Sequence, residues 1–377
     1  MPKTRDVIQH IKEEDSDSYS DDSLFNIASW GADLSFRELI QRYDDDELVK
    51  PELQRQYVWD KIDASRFIDS LLLGLPVPSI FLAKTPNEKL LIVDGYQRIM
   101  TVRDFVRGIF SRDDKVFRLS RSERINQRWQ GKAFAELNDT EQRRIRNTTI
   151  HAIIFVQQHP ENDDTSLFQV FERINTSGRT LFPQEIRNCV SQGKLNTLLF
   201  DLNRNETWRT LFGLKESDSR MRDIEFILRF FALSSELFRS DKRERLSLKR
   251  FLDLYMKNNA NPGEENLASL EHRFTATVQF IHEIFGSCAF HNVSPSDPDK
   301  LVPKFSPTIY DSIMIAADHA LNGENYAIPD DPELARRDLL HDQDYRFAIT
   351  KETMSRACIT KRIGMACEKL FGDSSYE

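Results

Sequence analysis

Leu90-Leu91-Ile92-Val93-Asp94-Gly95-Tyr96-Gln97-Arg98 is the stretch that decides the fold. Its first four residues are apolar and read as a short buried strand. Asp94-Gly95 is a turn signal. Beyond the turn, Ile99, Val102, Phe105, Val106 and Ile109 recur on one face with a helical period. A carboxylate, a flexible glycine, an amide and a guanidinium are therefore gathered where a strand hands over to a helix N-terminus. The free N–H groups and the dipole at such an end favour an anion. The arrangement points to a phosphate-handling site.

Upstream, Ser79 to Ala83 reads as a second strand, paired as a hairpin through a turn at Pro86-Asn87. Asp60 or Asp63 opens a helix carrying Phe67, Ile68, Leu71 and Leu72, which Gly74 ends, with Pro76 and Pro78 beyond. Ser35 caps a short helix over 36–43. Residues 51–59 begin with proline and read as extended or irregular. Downstream, a strand is possible at Val116 to Leu119. Asn138-Asp139-Thr140-Glu141 opens a helix, and His151 to Val156 reads as a strand.

From about residue 165 the pattern is nearly all helical, with segments at 165–175, 184–191, 193–203, 220–238, 247–258, 264–285, 308–321, 332–340 and 352–371. The expected fold class is α+β, a small unit with short strands followed by a mostly α-helical unit. The expected domains are a disordered acidic N-terminus over 1–28, a nucleotide-binding domain over 29–191 and a helical domain over 192–377. Glu13-Glu14-Asp15-Ser16-Asp17 and Ser20-Asp21-Asp22 carry the disorder expectation.

The chain has 377 residues and a net charge of −8, which argues against a protein that coats nucleic acid with an overall basic surface. The charge is uneven. Residues 1–50 hold 13 acidic and 6 basic side chains, whereas 95–150 hold 13 basic and 7 acidic. An arginine-rich segment of that kind can bind a polyanion locally, or it can be a solvated face with internal ion pairs. No apolar run approaches about 18 residues, so no membrane span is expected. Residues 1–19 lack the apolar core of a secretory signal, so cytoplasmic residence is the expectation. Cys189, Cys288, Cys358 and Cys367 are far apart, form no CxxC pair and read as buried reduced thiols.

A second constellation lies at Phe171-Glu172-Arg173-Ile174-Asn175-Thr176-Ser177-Gly178-Arg179-Thr180-Leu181, a helix end in a polar turn. Phe182-Pro183-Gln184-Glu185 then starts the next helix, with proline at its first position. Alone, this reads as a plain helix connection.

Taken with Gln54-Arg55-Gln56-Tyr57-Val58-Trp59, Leu73-Gly74-Leu75-Pro76-Val77-Pro78-Ser79-Ile80 and Val93 to Arg98, the ordered set resembles the N-terminal domain of GmrSD-type modification-dependent restriction enzymes, a ParB/sulfiredoxin-like group. Weaker similarity continues through Met221 to Phe231 and the last helix around Arg362. The family's usual signature is Asp-Gly-Gln-Gln-Arg, and Tyr96 stands at its third position here. Such enzymes commonly carry an HNH-like nuclease domain as well. The only echo of one is His291-Asn292-Val293-Ser294-Pro295, which reads as a loop, so the chain is expected to be the form without the cutting half.

The resemblance implies nucleotide binding and hydrolysis coupled to DNA restriction or phage defence. On that reading Asp94, Gln97 and Arg98 are the catalytic candidates. Gln54, Arg55, Gly95, Tyr96, Asn175, Ser177 and Gly178 are the nucleotide-binding candidates. Arg55 and Arg98 suit phosphate oxygens. Asp94 is suited to hold Mg²⁺ or to position the attacking water. Gly95 allows close backbone approach, Gln97 orients water or phosphate, and Glu172 or Glu185 is a further carboxylate. The chain has no Walker motif.

The expected partners are DNA and a separate nuclease subunit. Alternatives stand beside this reading. Asp94 and Arg98 can form an internal ion pair stapling strand to helix. The chain can be a DNA-binding or scaffold module without turnover, or a metal-dependent nuclease. Trp59 can be a core aromatic.

Overall fold

The computed structural model describes residues 7–15, 26–50, 59–85, 88–159, 182–191, 193–218, 220–294, 296–323 and 326–376. The chain divides into two compact units. One comprises Asp21–Leu181 and Asn188–Val190; the other comprises Met1–Ser20, Phe182–Arg187 and Ser191–Glu377.

The first unit is built on a five-stranded sheet, β1 (Asn26–Ser35), β2 (Leu48–Val49), β3 (Ile80–Lys84), β4 (Leu90–Asp94) and β7 (Thr149–His159), in the order β1-β7-β3-β4-β2. β5 (Ile109–Phe110) and β6 (Lys115–Val116) form a separate small ribbon. The β3–β4 hairpin is antiparallel, with Lys84 opposite Leu90 and Phe81 opposite Asp94. β7 runs parallel to β3 and antiparallel to β1. Helices α1 (Phe36–Asp44), α2 (Lys61–Leu73), α3 (Tyr96–Arg107) and α4 (Asp139–Asn147) complete the unit. Its core gathers Phe36, Leu39, Ile68, Leu71, Ile92, Ile99, Phe105 and Ile145.

The helix ends follow their local chemistry. The Ser35 hydroxyl accepts from the Glu38 N–H at the start of α1. The Asp60 carboxylate accepts from the N–H groups of Ile62 and Asp63, at 2.8 and 2.9 Å. Gly74 ends α2 with φ +75°. At α4, Asn138 and Glu141 satisfy each other's backbone N–H groups as a capping box. Because Asp60 holds two otherwise unpaired donors, Asp60→Ala should lower stability by about 1 kcal/mol. Urea unfolding with an unchanged slope would measure it, and an unchanged midpoint would refute it.

The second unit is helical, as expected, from α5 (Pro183–Val190) to a final helix Arg356–Phe371. Ile227, Phe230, Trp208, Phe274, Tyr310 and Ile363 are among its fully buried residues. Phe182–Arg187 counts with this unit, where the Arg187 guanidinium pairs with Glu225 at 2.8 Å and Asp253 at 2.6 Å.

Two expectations are corrected here. The acidic N-terminus is not without structure over 7–15. Ile8 forms a parallel bridge with Phe305, Ile8 and Ile11 are buried, and Lys12–Asp15 is a helical turn. Three apolar residues, Val7, Ile8 and Ile11, anchor a segment whose average composition is polar. His291–Ser294 (β8) is likewise not a loop, because it pairs antiparallel with Asp297–Phe305 (β9), while Pro295 lies outside the described residues. A helix, Pro307–Asn322, follows that hairpin. Even so, the described residues contain no group of three His, Cys, Asp or Glu able to hold a metal ion. The imidazole of His291 is instead pushed towards its neutral form by burial and by the charge of Arg336.

Among the described residues, no helix is long and apolar enough to cross a membrane. Cys358 and Cys367 are buried free thiols, whereas Cys288 is half-buried. Burial pushes the Cys367 thiol up to about 12.

Candidate functional site

β4 delivers Asp94 to the end of the sheet, and α3 starts two residues later. Between them Gly95 has φ +105°, and a Cβ there would stand 2.2 Å from Ile80 Cγ2. The glycine is thus required twice, by conformation and by the close approach of β3. No side chain caps α3 at this position.

Arg98, one turn into α3, reaches back. Its guanidinium pairs with the Asp94 carboxylate. It also donates to the carbonyl of Pro78 at 2.6 Å and of Ser79 at 3.0 Å. One fork therefore ties together the end of β4, the start of α3 and the extended segment leading into β3. The Arg98 side chain is 12% exposed while that of Asp94 is 39% exposed, so the carboxylate is the more accessible member of the pair. The Pro78 and Ser79 carbonyls were not anticipated as partners. The signal for them was Pro76-x-Pro78, which holds a chain extended and leaves its carbonyls outside any helix.

Gln97 does not stand alone either. Its side-chain oxygen accepts from the Trp59 N–H at 3.3 Å. This fixes the chain immediately after the segment that carries Gln54 and Arg55. Those two residues lie outside the described residues, as do Asn175, Ser177, Gly178 and Glu172. The helix expected at 165–175 lies there too. Trp59 packs at the edge of the core, edge-on to Phe67 with ring centres 5.6 Å apart. Glu185 is buried and bonds to the Phe182 N–H, as the first turn of α5 requires.

Tyr96 is 6% exposed and belongs to the core. Burial, together with the neighbouring Tyr43, pushes its phenol well above the usual range. The Lys50 ammonium sits 5.5 Å from its ring centre. The ring is therefore a packing element at the root of α3 rather than an open stacking face.

The arginine-rich segment is largely self-paired. Arg103 and Arg107 both hold Asp44, whose carboxyl stays below the usual range because the two guanidiniums outweigh its partial burial. Arg118 forks onto Glu136 at 2.7 and 2.8 Å. Arg128 meets Glu141 at 2.8 Å, and Arg144 donates to the Leu72 carbonyl at 2.7 Å. These contacts fit the reading of this stretch as an ion-paired face.

A mixed sheet with a polar Asp-Gly-x-Gln-Arg turn at a strand-to-helix junction defines an α+β domain whose candidate residues Asp94, Gly95, Gln97 and Arg98 lie at one sheet end. Residues 36–191 match the family model described as GmrSD restriction endonuclease, N-terminal domain. The chain carries a domain of that family, as its motifs indicated. No match is found among curated proteins.

Proposed function

We propose that this chain is a component of a DNA restriction or phage-defence system, and that its N-terminal domain binds and hydrolyses a nucleoside triphosphate at the Asp94–Arg98 turn. The observation that carries the reading is an accessible Asp94 carboxylate at the β4–α3 junction, where Gly95 has no side chain to cap the helix, in a domain that matches the GmrSD family. On this reading the α3 N–H groups receive phosphate oxygens. Asp94 positions water or takes part in holding Mg²⁺ that arrives with the nucleotide. A single protein carboxylate suffices for a cation whose other ligands are phosphates and water. Gln97 and Gly95 shape the turn. Gln54, Arg55, Asn175, Ser177 and Gly178 complete the pocket. DNA is the target, and a separate nuclease subunit is the proposed partner.

A second reading has a specific observation in its favour. The contacts of Arg98 with Asp94, Pro78 and Ser79 all serve the fold, so the turn can be a structural staple in a DNA-binding or scaffold module.

Phosphate release from ATP, GTP and CTP with Mg²⁺, with and without DNA, separates the two. In Asp94→Ala and Arg98→Ala variants that melt as folded proteins, turnover should fall by about 100-fold or more. No turnover and no nucleotide binding by the wild type would sink the hydrolytic reading and leave the DNA-binding one.

A further inference from the structure

A buried charge cluster in the helical unit is completed by the N-terminal segment. The Arg229 guanidinium is 2% exposed. Its Nε donates to Asp311 Oδ1 at 3.0 Å. Arg362 also binds Asp311, at 3.1 Å, and both of these side chains are essentially buried. One carboxylate thus faces two guanidiniums. The second negative charge comes from Glu14, whose two oxygens take Arg229 Nη1 at 2.7 Å and Nη2 at 3.1 Å. Two cations and two anions balance only while Glu14 is in place.

Glu14 occupies the wall of a cavity of about 200 Å³ lined also by Ile8, Ile11, Arg222, Arg229 and Leu252. The strap over 7–15 runs along this cavity. It shares two backbone bonds with Phe305, both 2.8 Å. Ile8 and Ile11 are its buried anchors, and Glu13 makes a 3.2 Å pair with an exposed Arg245. Arg229, by contrast, is fixed from behind by Asp311 on a core helix. If the strap leaves, the guanidinium fork stays aimed into the cavity with one positive charge uncompensated. A buried, unpaired guanidinium is strongly unfavourable and selects any oxyanion that offers two coplanar oxygens.

We propose that this cavity is an oxyanion-binding site for a phosphate group, and that Glu14 is its tethered, displaceable occupant. Phosphate and strap compete for Arg229. This site is separate from the Asp94 turn and does not depend on nucleotide hydrolysis.

Glu14→Gln keeps the shape of the strap and removes its charge, and inorganic phosphate is the probe. Hydrogen exchange of the amides over 7–15 should speed up by about tenfold or more in E14Q. The melting temperature of E14Q should rise saturably with phosphate beyond a sodium chloride control of equal ionic strength. The wild type should need at least about tenfold more phosphate for the same rise. Glu13→Gln, which removes the neighbouring half-buried charge paired with Arg245, should behave as the wild type. If E14Q does not stay folded, Glu14→Asp, with its carboxylate drawn back from the fork, carries the same readouts. An E14Q protein with no phosphate response beyond the chloride control, an equal response in wild type and E14Q, or an E13Q that mimics E14Q would each overturn the proposal.

Discussion

Gly95→Ala should destabilise the N-terminal domain by about 3 kcal/mol or more, a loss large for a single methyl group. Two costs act together. The residue must keep φ +105°, which an L side chain rarely adopts, and its Cβ would overlap Ile80 Cγ2 at 2.2 Å and Ile80 Cβ at 2.8 Å. Relief requires β3 to move away from the β4–α3 junction. That movement would also pull Pro78 and Ser79 from Arg98, since they directly precede Ile80. Urea unfolding followed by circular dichroism measures the loss. The double variant Gly95→Ala/Ile80→Ala should lose less than the sum of the two singles, because removing Cγ2 opens space for the added methyl. Strict additivity, or a Gly95→Ala protein as stable as the wild type, would show that the close approach of β3 is not what demands glycine.

Asp311→Asn should cost about 3–5 kcal/mol, the scale for removing one partner from a buried ion pair. Asp311 is 1% exposed and faces both Arg229 and Arg362. Burial by itself would push the Arg229 guanidinium down. Asp311 first, then Glu14, holds it well above its usual range. An amide in place of the carboxylate leaves two guanidiniums against Glu14 alone. Because small domains hold only about 5–15 kcal/mol in total, this variant should approach the limit of folding at ordinary temperature. A melting temperature within a few degrees of the wild type would refute the cluster as a structural keystone.

Several elements were legible because their cause is local. The alternation from apolar strand to Asp-Gly turn to 3.6-residue period placed β3, β4 and α3. Ser35, Asp60, Asn138 and Gly74 marked helix ends through bonds that span only a few residues. The helix over Glu264–Phe285 matches its periodic stretch. Elements stabilised by distant partners were not legible. β1 pairs with β7 more than 100 residues away, Asp33 facing His151, and its own sequence NIASWGADLS has little β-branched content. β9, with its prolines and lysines, is a strand because β8 and the N-terminal segment use its edges. The long segment 352–371 read as one helix, yet the last helix begins only at Arg356, after Gln343–Thr350 has ended.

By itself the sequence determined the α+β class, the order of the hairpin and helices, the family resemblance and the position of the Asp94–Arg98 turn, because periodicity, turn chemistry and caps act within a few residues. Only the tertiary structure decided that Arg98 is engaged by Asp94 and two carbonyls, that Tyr96 is core, that the arginine-rich stretch is largely ion-paired, and that Glu14 completes a charge cluster with Arg229. Those outcomes depend on which side chains are brought together from distant parts of the chain, and on how much water is excluded when they meet.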